Sequence, residues 1–448
     1  MVHLTSVLAE HARSLDVSLM APTVKETALR CVLDLLGSAI AGIATTATSA
    51  TRAASAETLG AGAASIWMSG CTASPLSALL VNSSAACALD LDDGNRSARG
   101  HPGACVIPTV LTLAATHSQV SCDDMLAAIV AGYDVGVRVA AAQNPEGIAS
   151  RQTGRWASFA AAAAAGRLLR ADAAHLAQAL AIAGVLAPNQ RANGSSGYSR
   201  MTGNLVKEGI AWSAALGVQA LYLAKNGYTG PMDILDYGRF YEARRICRGL
   251  GRRWEILDTY FKPYACCRYI HPALDAFFQL QEQNRFRSLD IERVDVQTFR
   301  WALKLGNVSD PQNIVELQYS LPYCLAVAAV EGREGLLPIS TSLLDRPDLA
   351  RFARNVHLAE ESIAEKAFPR KTLARVIVTT REGQRLISPR VGPVGDPARP
   401  MSWIAIEEKF RLVTRHSISP AKQAALIQSV RGLGDGNRED LLRELGTA

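Results

Sequence analysis

The densest run of groups able to move protons is ALDLDDGNRSARGHPG, residues 88–103. The apolar pattern that begins at Pro75 predicts a helix ending at about Leu89. Asp90, Asp92 and Asp93 then fall beside a helix C-terminus, where the macrodipole disfavours anions. Carboxylates so placed need a partner or a task. Metal binding would be one task, since D-x-D-D-G opens like a calcium loop. The fifth position, however, is Gly94 and the twelfth is His101 instead of Glu, which leaves the ion short of ligands. The plain structural alternative is a set of solvated carboxylates paired with Arg96 and Arg99, because surface charges need no function. His101 stands just before an apolar helix. A charged imidazolium is disfavoured there, but a neutral ring can act as base or hydrogen-bond donor; a lone histidine at such a place is more often a structural cap.

A second cluster is FKPYACCRYIHPALDAF, residues 261–277. Lys262 precedes Pro263, which biases it to an extended backbone, and the next helix is predicted to start near Pro272. Cys266, Cys267, Arg268 and His271 then lie in or beside an irregular segment, the kind of segment that often lines sites. The default reading of any one of them is structural: buried small thiols for the cysteines and an ion-pair partner for Arg268. Adjacent cysteines are poorly placed to ligate one metal together.

The elements that must position these groups change character along the chain. Thr23 with Glu26 forms a capping-box pattern, and Leu29, Val32, Leu33, Leu36 and Ile40 recur at helical spacing up to Gly42. Further helices are predicted over 75–89, 104–116, 123–142, 153–169, 172–182 and 205–225. Small residues dominate them, which suits helices packed backbone to backbone. After about residue 260 the period changes. Val294, Val296 and Thr298 alternate with polar residues, as do Val376 and Val378 before Glu382-Gly383 and a second apolar segment, 386–391. Strands and a hairpin are predicted there. Helices return at 403–413, 420–430 and after Asp440. The expected architecture is mainly α: a large helical domain from both chain ends, 1–261 and 399–448, with a smaller α+β lid inserted at 262–398.

Composition bounds the rest. With 448 residues, 48% hydrophobic and 20% charged, the chain is long enough for two domains and has the make-up of a soluble globular protein. A net charge of +6 spread along the sequence disfavours nucleic acid and suits an anionic substrate. The nine cysteines, at 31, 71, 87, 105, 122, 247, 266, 267 and 324, show no CxxC spacing and read as reduced thiols. They also offer no ligand set for an iron-sulfur cluster. The N-terminus reads as an amphipathic helix and no apolar stretch is long enough to span a bilayer, so a cytoplasmic location is expected.

The residues 88–115 resemble the signature of the MmgE/PrpD family, in which D-x-D-D is followed at short spacing by His-Pro-Gly or His-Pro-Ser and an apolar helix containing Pro. KPYACCRYIHPALDA is similar to that family's second signature, K-P-Y-P-x-C-R-x-x-H. The segments GNLVKEGIAWSAALGVQALYLAKNGYTGPMDIL and YSLPYCLAVAAVEG extend the resemblance over nearly the whole chain. It implies a helical domain with an α+β lid and a site in the cleft between them. It also implies a homodimer and metal-independent, cofactor-free chemistry on a small polycarboxylate: dehydration as in 2-methylcitrate dehydratases first, with decarboxylation as in cis-aconitate decarboxylases or epimerisation as in iminodisuccinate epimerase as alternatives. An inactive ligand-binding homologue is the non-enzymatic alternative. By resemblance, Asp90, His101, Lys262 and Tyr323 take catalytic positions. Asp93, Arg99, Arg151, Lys207, Cys267, Arg268 and His271 form the substrate-binding set.

Such reactions place negative charge on a carbon next to a carboxylate. They need an acid or base, for which Asp90 and His101 are both candidates, and cations to hold the carboxylates. The chain departs from the family pattern in three places. Gly94 stands where many members have Thr or Ser, and Arg151 where many have His two residues before a Thr. GYSRMTG replaces T-K-P-L-H, so that Arg200 or Lys207 would have to supply the lysine's charge. Gly94 is expected to open space beside Asp93, and Arg151 to add a fixed positive fork. Together they predict preference for an acid other than 2-methylcitrate.

Overall fold

The computed structural model describes residues 2–189 and 204–448. It is mainly α-helical, and the described residues up to Lys225 form nine α-helices: α1 Leu4–Ser14, α2 Pro22–Gly42, α3 Thr46–Thr58, α4 Pro75–Ala88, α5 Gly103–Ala114, α6 Cys122–Ala141, α7 Thr153–Leu168, α8 Ala173–Leu186 and α9 Ile210–Lys225. α7 is the hub, packed on α5, α6, α8 and α9. Its run of alanines, 160–165, is wholly buried. That packing needs small residues on both sides: a Cβ on Gly136 of α6 would stand 2.6 Å from the Ala160 Cβ, closer than side chains can approach.

Two starts differ from the sequence expectation. α2 begins at Pro22, with Ala21 as an N-cap that makes no side-chain bond. Thr23 is therefore already helical and forms no capping box; proline at the first position, with its preset φ, opens the helix instead. α9 begins only at Ile210, because Lys207 (φ 52°) and Gly209 (φ 70°) turn the chain left-handed just before it. That turn aims Lys207 inward.

The sheets are small. A four-stranded sheet has the order β6-β5-β7-β8, made of β5 Ile291–Thr298, β6 Val356–Glu360, β7 Ala374–Thr380 and β8 Arg385–Ile387. β5 pairs with β7 antiparallel, Val294 opposite Val378 and Val296 opposite Val376. β7 and β8 form the expected hairpin around Gly383 (φ 84°). β6, which the sequence reading lacked, runs parallel to β5 at the edge of the sheet. Its residues are mostly solvent-facing, so no alternating apolar pattern marked it. The other pairs are β1 Ala64–Ile66 with β2 Cys71–Ala73, and β3 Gly94–Asn95 with β4 Thr259–Tyr260.

Apolar side chains gather in two main cores. The first takes residues from Leu4 to Phe261 and again from Met401 to Leu445, where the helix Trp403–Thr414 packs on α2. The second holds Tyr264 to Leu386, together with Val413 and the pair Leu89 and Leu91. Leu89 and Leu91 flank Asp90, so the loop after α4 is sewn into the second core. No single helix among the described residues is long and apolar enough to cross a membrane.

A buried charge network holds the approach to that seam. Arg138, 1% exposed, donates from Nε to Asp134 Oδ2 at 2.9 Å. It also donates to the carbonyls of Ile246, Arg248, Gly249 and Arg253. Asp134 in turn accepts from the Glu255 amide and contacts His11 Nε2 at 2.8 Å. One guanidinium thus pins the irregular segment that leads into β4. Breaking a buried pair from one side commonly costs about 3–5 kcal/mol. Arg138→Met should lose stability of that order in urea denaturation, with reduced hydrogen-exchange protection over 246–255; a loss well under about 1 kcal/mol would show the network to be dispensable.

Candidate active site

α4 ends at Ala88, and Asp90 takes a left-handed backbone (φ 54°) that turns its carboxylate back toward the seam between the cores. Lys262, just after β4, reaches it from the other side. The Lys262 ammonium lies 3.0 Å from Asp90 Oδ2 and donates to the Asp90 carbonyl at 2.7 Å. Lys207 approaches Oδ1 at 3.6 Å and donates to Gln318 Oε1 at 2.8 Å, above the Tyr319 ring. His101 completes the group with Nε2 4.0 Å from Asp90 Oδ1. These carboxylates are therefore not solvated and not paired with Arg96 and Arg99, as the plain reading had it. Arg96 instead pairs with Asp396, and Arg99 is exposed.

Burial opposes charge on Asp90, but Lys262, Lys207 and His101 outweigh it and hold the carboxyl well below the usual carboxylate range. Burial likewise works against the Lys262 ammonium, and Asp90 and Asp92 more than compensate, raising its pKa. Both groups stay ionised. Behind them, burial raises Asp92 despite His101 and Lys262. Asp34 is also raised by burial, against the pull of Lys409, which donates to Asp34 Oδ1 at 2.6 Å and to the Leu91 carbonyl at 2.9 Å.

His101 has its tautomer set by its neighbours. Nδ1 lies 2.8 Å from the Asp93 carbonyl oxygen. A carbonyl only accepts, so Nδ1 carries the proton and the neutral ring turns its Nε2 lone pair toward Asp90. The His101 amide is fixed by Thr153 Oγ1 at 3.1 Å, and Thr153 donates to Glu208 Oε2 at 2.5 Å. The Asp93 carboxylate faces away from this group. It accepts from the Gly103 amide at 2.9 Å, at the first turn of α5, and from the Tyr133 hydroxyl at 2.5 Å.

The other expected residues spread out. Cys267 is buried and its amide donates to the Gln318 carbonyl; burial, then Asp90, pushes its thiol pKa up. Arg268 donates to Asp396 Oδ1 at 2.5 Å, to the Val394 carbonyl and to His271 Nδ1. His271 Nε2 donates to the Cys266 carbonyl, and burial followed by Arg268 and Lys262 keeps the ring neutral. Arg268 and His271 thus brace the segment that carries Lys262. Arg151 donates to the Gln143 carbonyl at 2.8 Å, with burial and then the Arg99 and Arg245 charges lowering its pKa. Arg200 lies outside the described residues.

Tyr323 is not brought to the group. Its hydroxyl donates to the Leu343 carbonyl at 2.6 Å, and burial followed by Asp310 pushes its pKa up to about 12. The tyrosine that faces the group is Tyr319, whose pKa is raised by burial and then by Asp90. Sequence reasoning also missed Gln318, Glu208, Lys409 and Asp34. Tyr319 and Glu208 do stand in segments that resembled the family, and Gln318 directly precedes one of them, so that signal was there to be used. Gly94 opens no space: a Cβ there would run into the Tyr260 ring and hydroxyl, which fill the position. Among the described residues, no set of three or more His, Cys, Asp or Glu is grouped to hold a metal ion.

By class this is a helical protein with two cores that buries lysines, a carboxylate and an imidazole where they meet, the kind of ionic cluster in which active sites are sought. Family comparison makes this specific. Residues 6–243 match the MmgE/PrpD N-terminal domain and residues 264–435 the MmgE/PrpD C-terminal domain. The chain belongs to the MmgE/PrpD family, whose members include enzymes. Among curated relatives, a cis-aconitate decarboxylase of Aspergillus terreus is 26% identical over 391 residues, covering 80% of this chain and 78% of the relative. The cis-aconitate decarboxylase-like protein oryM of Aspergillus oryzae is 28% identical over 231 residues, 46% of this chain and 47% of the relative.

Asp93 gives the site a pH signature. Burial pushes its carboxyl up to about 7, with Asp34 and Asp92 adding to the effect and Tyr133 opposing it. The unfolded value is about 3.9. A raised acid pKa means that the folded state holds the proton more tightly, so this stabilisation is present below about pH 4 and lost as pH rises through about 7. Asp93→Asn should flatten the decline in stability between about pH 4 and 7, an effect on the order of a few kcal/mol. Denaturant melts at several pH values test this, and an unchanged slope would mean that Asp93 ionises normally.

Proposed function

We propose that the chain is a lyase acting on a small di- or tricarboxylate of the aconitate type, with His101 as the proton carrier. The observation that carries this is the shared Asp90 carboxylate: two ammonium groups, Lys262 and Lys207, converge on it with the His101 Nε2 alongside. Asp90 preorganises the lysines, and the pair can in turn stabilise charge that develops on a substrate carboxylate. The group is nearly sealed. His101, with 13% of its side chain exposed, is its most open member. Exclusion of water strengthens each of these interactions.

The sequence expectation put dehydration first. Similarity to curated cis-aconitate decarboxylases moves decarboxylation ahead of it. In that reaction the bond to one carboxyl carbon breaks and carbon dioxide leaves. The electron pair delocalises toward a remaining carboxylate held by the lysines, and protonated His101 delivers its Nε2 proton to carbon. Water returns that proton to the ring, so one proton is taken up per turnover. Dehydration is the second reading and is supported by Tyr319, a phenol beside the Lys207 ammonium that carries a proton a departing hydroxyl could take. Both readings are of a homodimeric enzyme that needs no metal.

Aconitate-like, citrate-like and aminosuccinate-like acids, offered in turn, should give carbon dioxide from the aconitate-like acid. Loss of water from a citrate-like acid without carbon dioxide would favour the second reading, and no change in any acid would overturn both. His101→Gln should reduce kcat by roughly a hundredfold or more, the usual worth of a general acid or base, with little change in melting temperature. Full turnover by His101→Gln would remove His101 from the proton path.

A further inference from the structure

Asp92 is left without a role by this chemistry, yet it is 1% exposed and sits directly behind the imidazole. Its Oδ2 lies 3.4 Å from His101 Nδ1, and among the described residues that oxygen has no hydrogen-bond partner. An unmet carboxylate oxygen in a buried position is costly unless something uses its charge. The Nδ1 proton points at the Asp93 carbonyl, 2.8 Å away, and the carboxylate stands at the side of the same N–H. A neutral ring is served by the carbonyl alone. An imidazolium, carrying a full charge, gains from the anion beside it.

We propose that Asp92 is a positioning residue for His101: it supplies the counter-charge that lets Nε2 take up and give back a proton in a sealed site. The inference rests on His101 being the proton carrier of the proposed reaction. The division of labour follows from the two sides of the ring. Asp93 fixes the tautomer through its main chain, and Asp92 stabilises the charged form through its side chain. Asp90, already shared by two lysines, faces Nε2 and is less free to do so. The other charges around the ring are Lys262 and Lys207, which act on Asp90 and Asp92, and Glu208, held on Thr153 behind the His101 amide. Because the carbonyl keeps the tautomer, loss of Asp92 should cost only the electrostatic part of the effect. It should be milder than removing a residue that also sets the tautomer.

Asp92→Asn tests this by its effect on the pH profile. Turnover should fall roughly ten- to hundredfold, with KM nearly unchanged. The limb of the kcat profile that reports His101 should move to lower pH by about one unit, because a protonated ring without its counter-charge gives up the proton more readily. Asp92→Glu, which keeps the charge, should leave that limb near its original place. A purely structural role would lower the melting temperature and leave the limb unmoved, and that result would overturn the proposal. Should Asp92→Asn not fold, the unaltered enzyme carries the test. On acidification the Asp92 carboxyl carbon should keep the NMR position of an ionised carboxylate while the His101 ring takes up its proton, as a counter-charge requires. A carboxyl that takes up its proton before the ring does would equally overturn it. The underlying reading fails separately: His101→Gln with full turnover removes the proton carrier, whereas an inactive His101→Gln beside an unaffected Asp92→Asn removes only the dyad.

Discussion

The bond between Lys262 and Asp90 is the constraint on which the site depends. A fully buried ammonium is tolerable only where acceptor oxygens and a counter-charge replace its water, and here one residue supplies both, a carboxylate oxygen at 3.0 Å and the main-chain carbonyl at 2.7 Å. The carbonyl is available because Asp90 adopts a left-handed backbone at the end of α4. Leu89 and Leu91 on either side are buried in the second core, so the turn cannot relax without exposing them. Packing, backbone conformation and ion pair therefore stabilise one another. Segment 261–277 is tied down in the same way: Arg268 holds the Val394 carbonyl and Asp396, and His271 holds the Cys266 carbonyl.

Around this pair the interior holds more acid than base. Asp34, Asp90, Asp92 and Asp93 are all buried, while the lysines among them are Lys207, Lys262 and Lys409. Burial and Coulomb attraction compete at each acid, with different outcomes. Asp90, touched by two lysines, is held low; Asp93, whose partners are the Tyr133 phenol, the Gly103 amide and the Cys31 thiol, is pushed up to about 7. One excess carboxyl thus holds a proton near neutrality. The α4 C-terminus is a poor place for anions, and these lysines are what make it acceptable.

The sequence carried the local part of this arrangement. The D-x-D-D and His-Pro-Gly elements lie within one short loop, and structure brings Asp90 and His101 to the same place. The alternation at Val294, Val296 and Val376, Val378 was enough to predict β5 and β7, because buried strands with one apolar face repeat every second residue. What escaped were contacts between segments far apart in the chain. Lys409 meets Asp34 across 375 residues, and a lone lysine in an amphipathic helix looks like any solvent-facing lysine. Tyr319 and Tyr323 could not be ranked, since the choice depends on where the helix Leu321–Glu331 starts. Tyr319 precedes its cap, Ser320, and faces the lysines, while Tyr323 lies inside the first turn and faces Leu343. The turn at Lys207 was hidden for a related reason: a left-handed backbone at a non-glycine residue has no signal of its own in the sequence.

The departures from the family pattern differ in physical kind. At Gly94 the missing side chain is replaced in space by Tyr260, whose hydroxyl and ring occupy the position a Cβ would need. The site wall is therefore rebuilt from β4, and no new volume appears beside Asp93. Arg151 is not absorbed in this way. One of its nitrogens donates to the Gln143 carbonyl, but its buried Nε and both side-chain polar atoms of Gln143 have no hydrogen-bond partner among the described residues. The positive charges of Arg99 and Arg245 act on it as well. Unmet donors beside accumulated positive charge favour an anion with two acceptor oxygens, which a guanidinium can bind in its own plane. A change at Gly94 is thus settled within the fold. A change at Arg151 leaves donors that a ligand, an ordered water or chain outside the described residues can meet, and any difference in acid preference from relatives with histidine there should trace to Arg151.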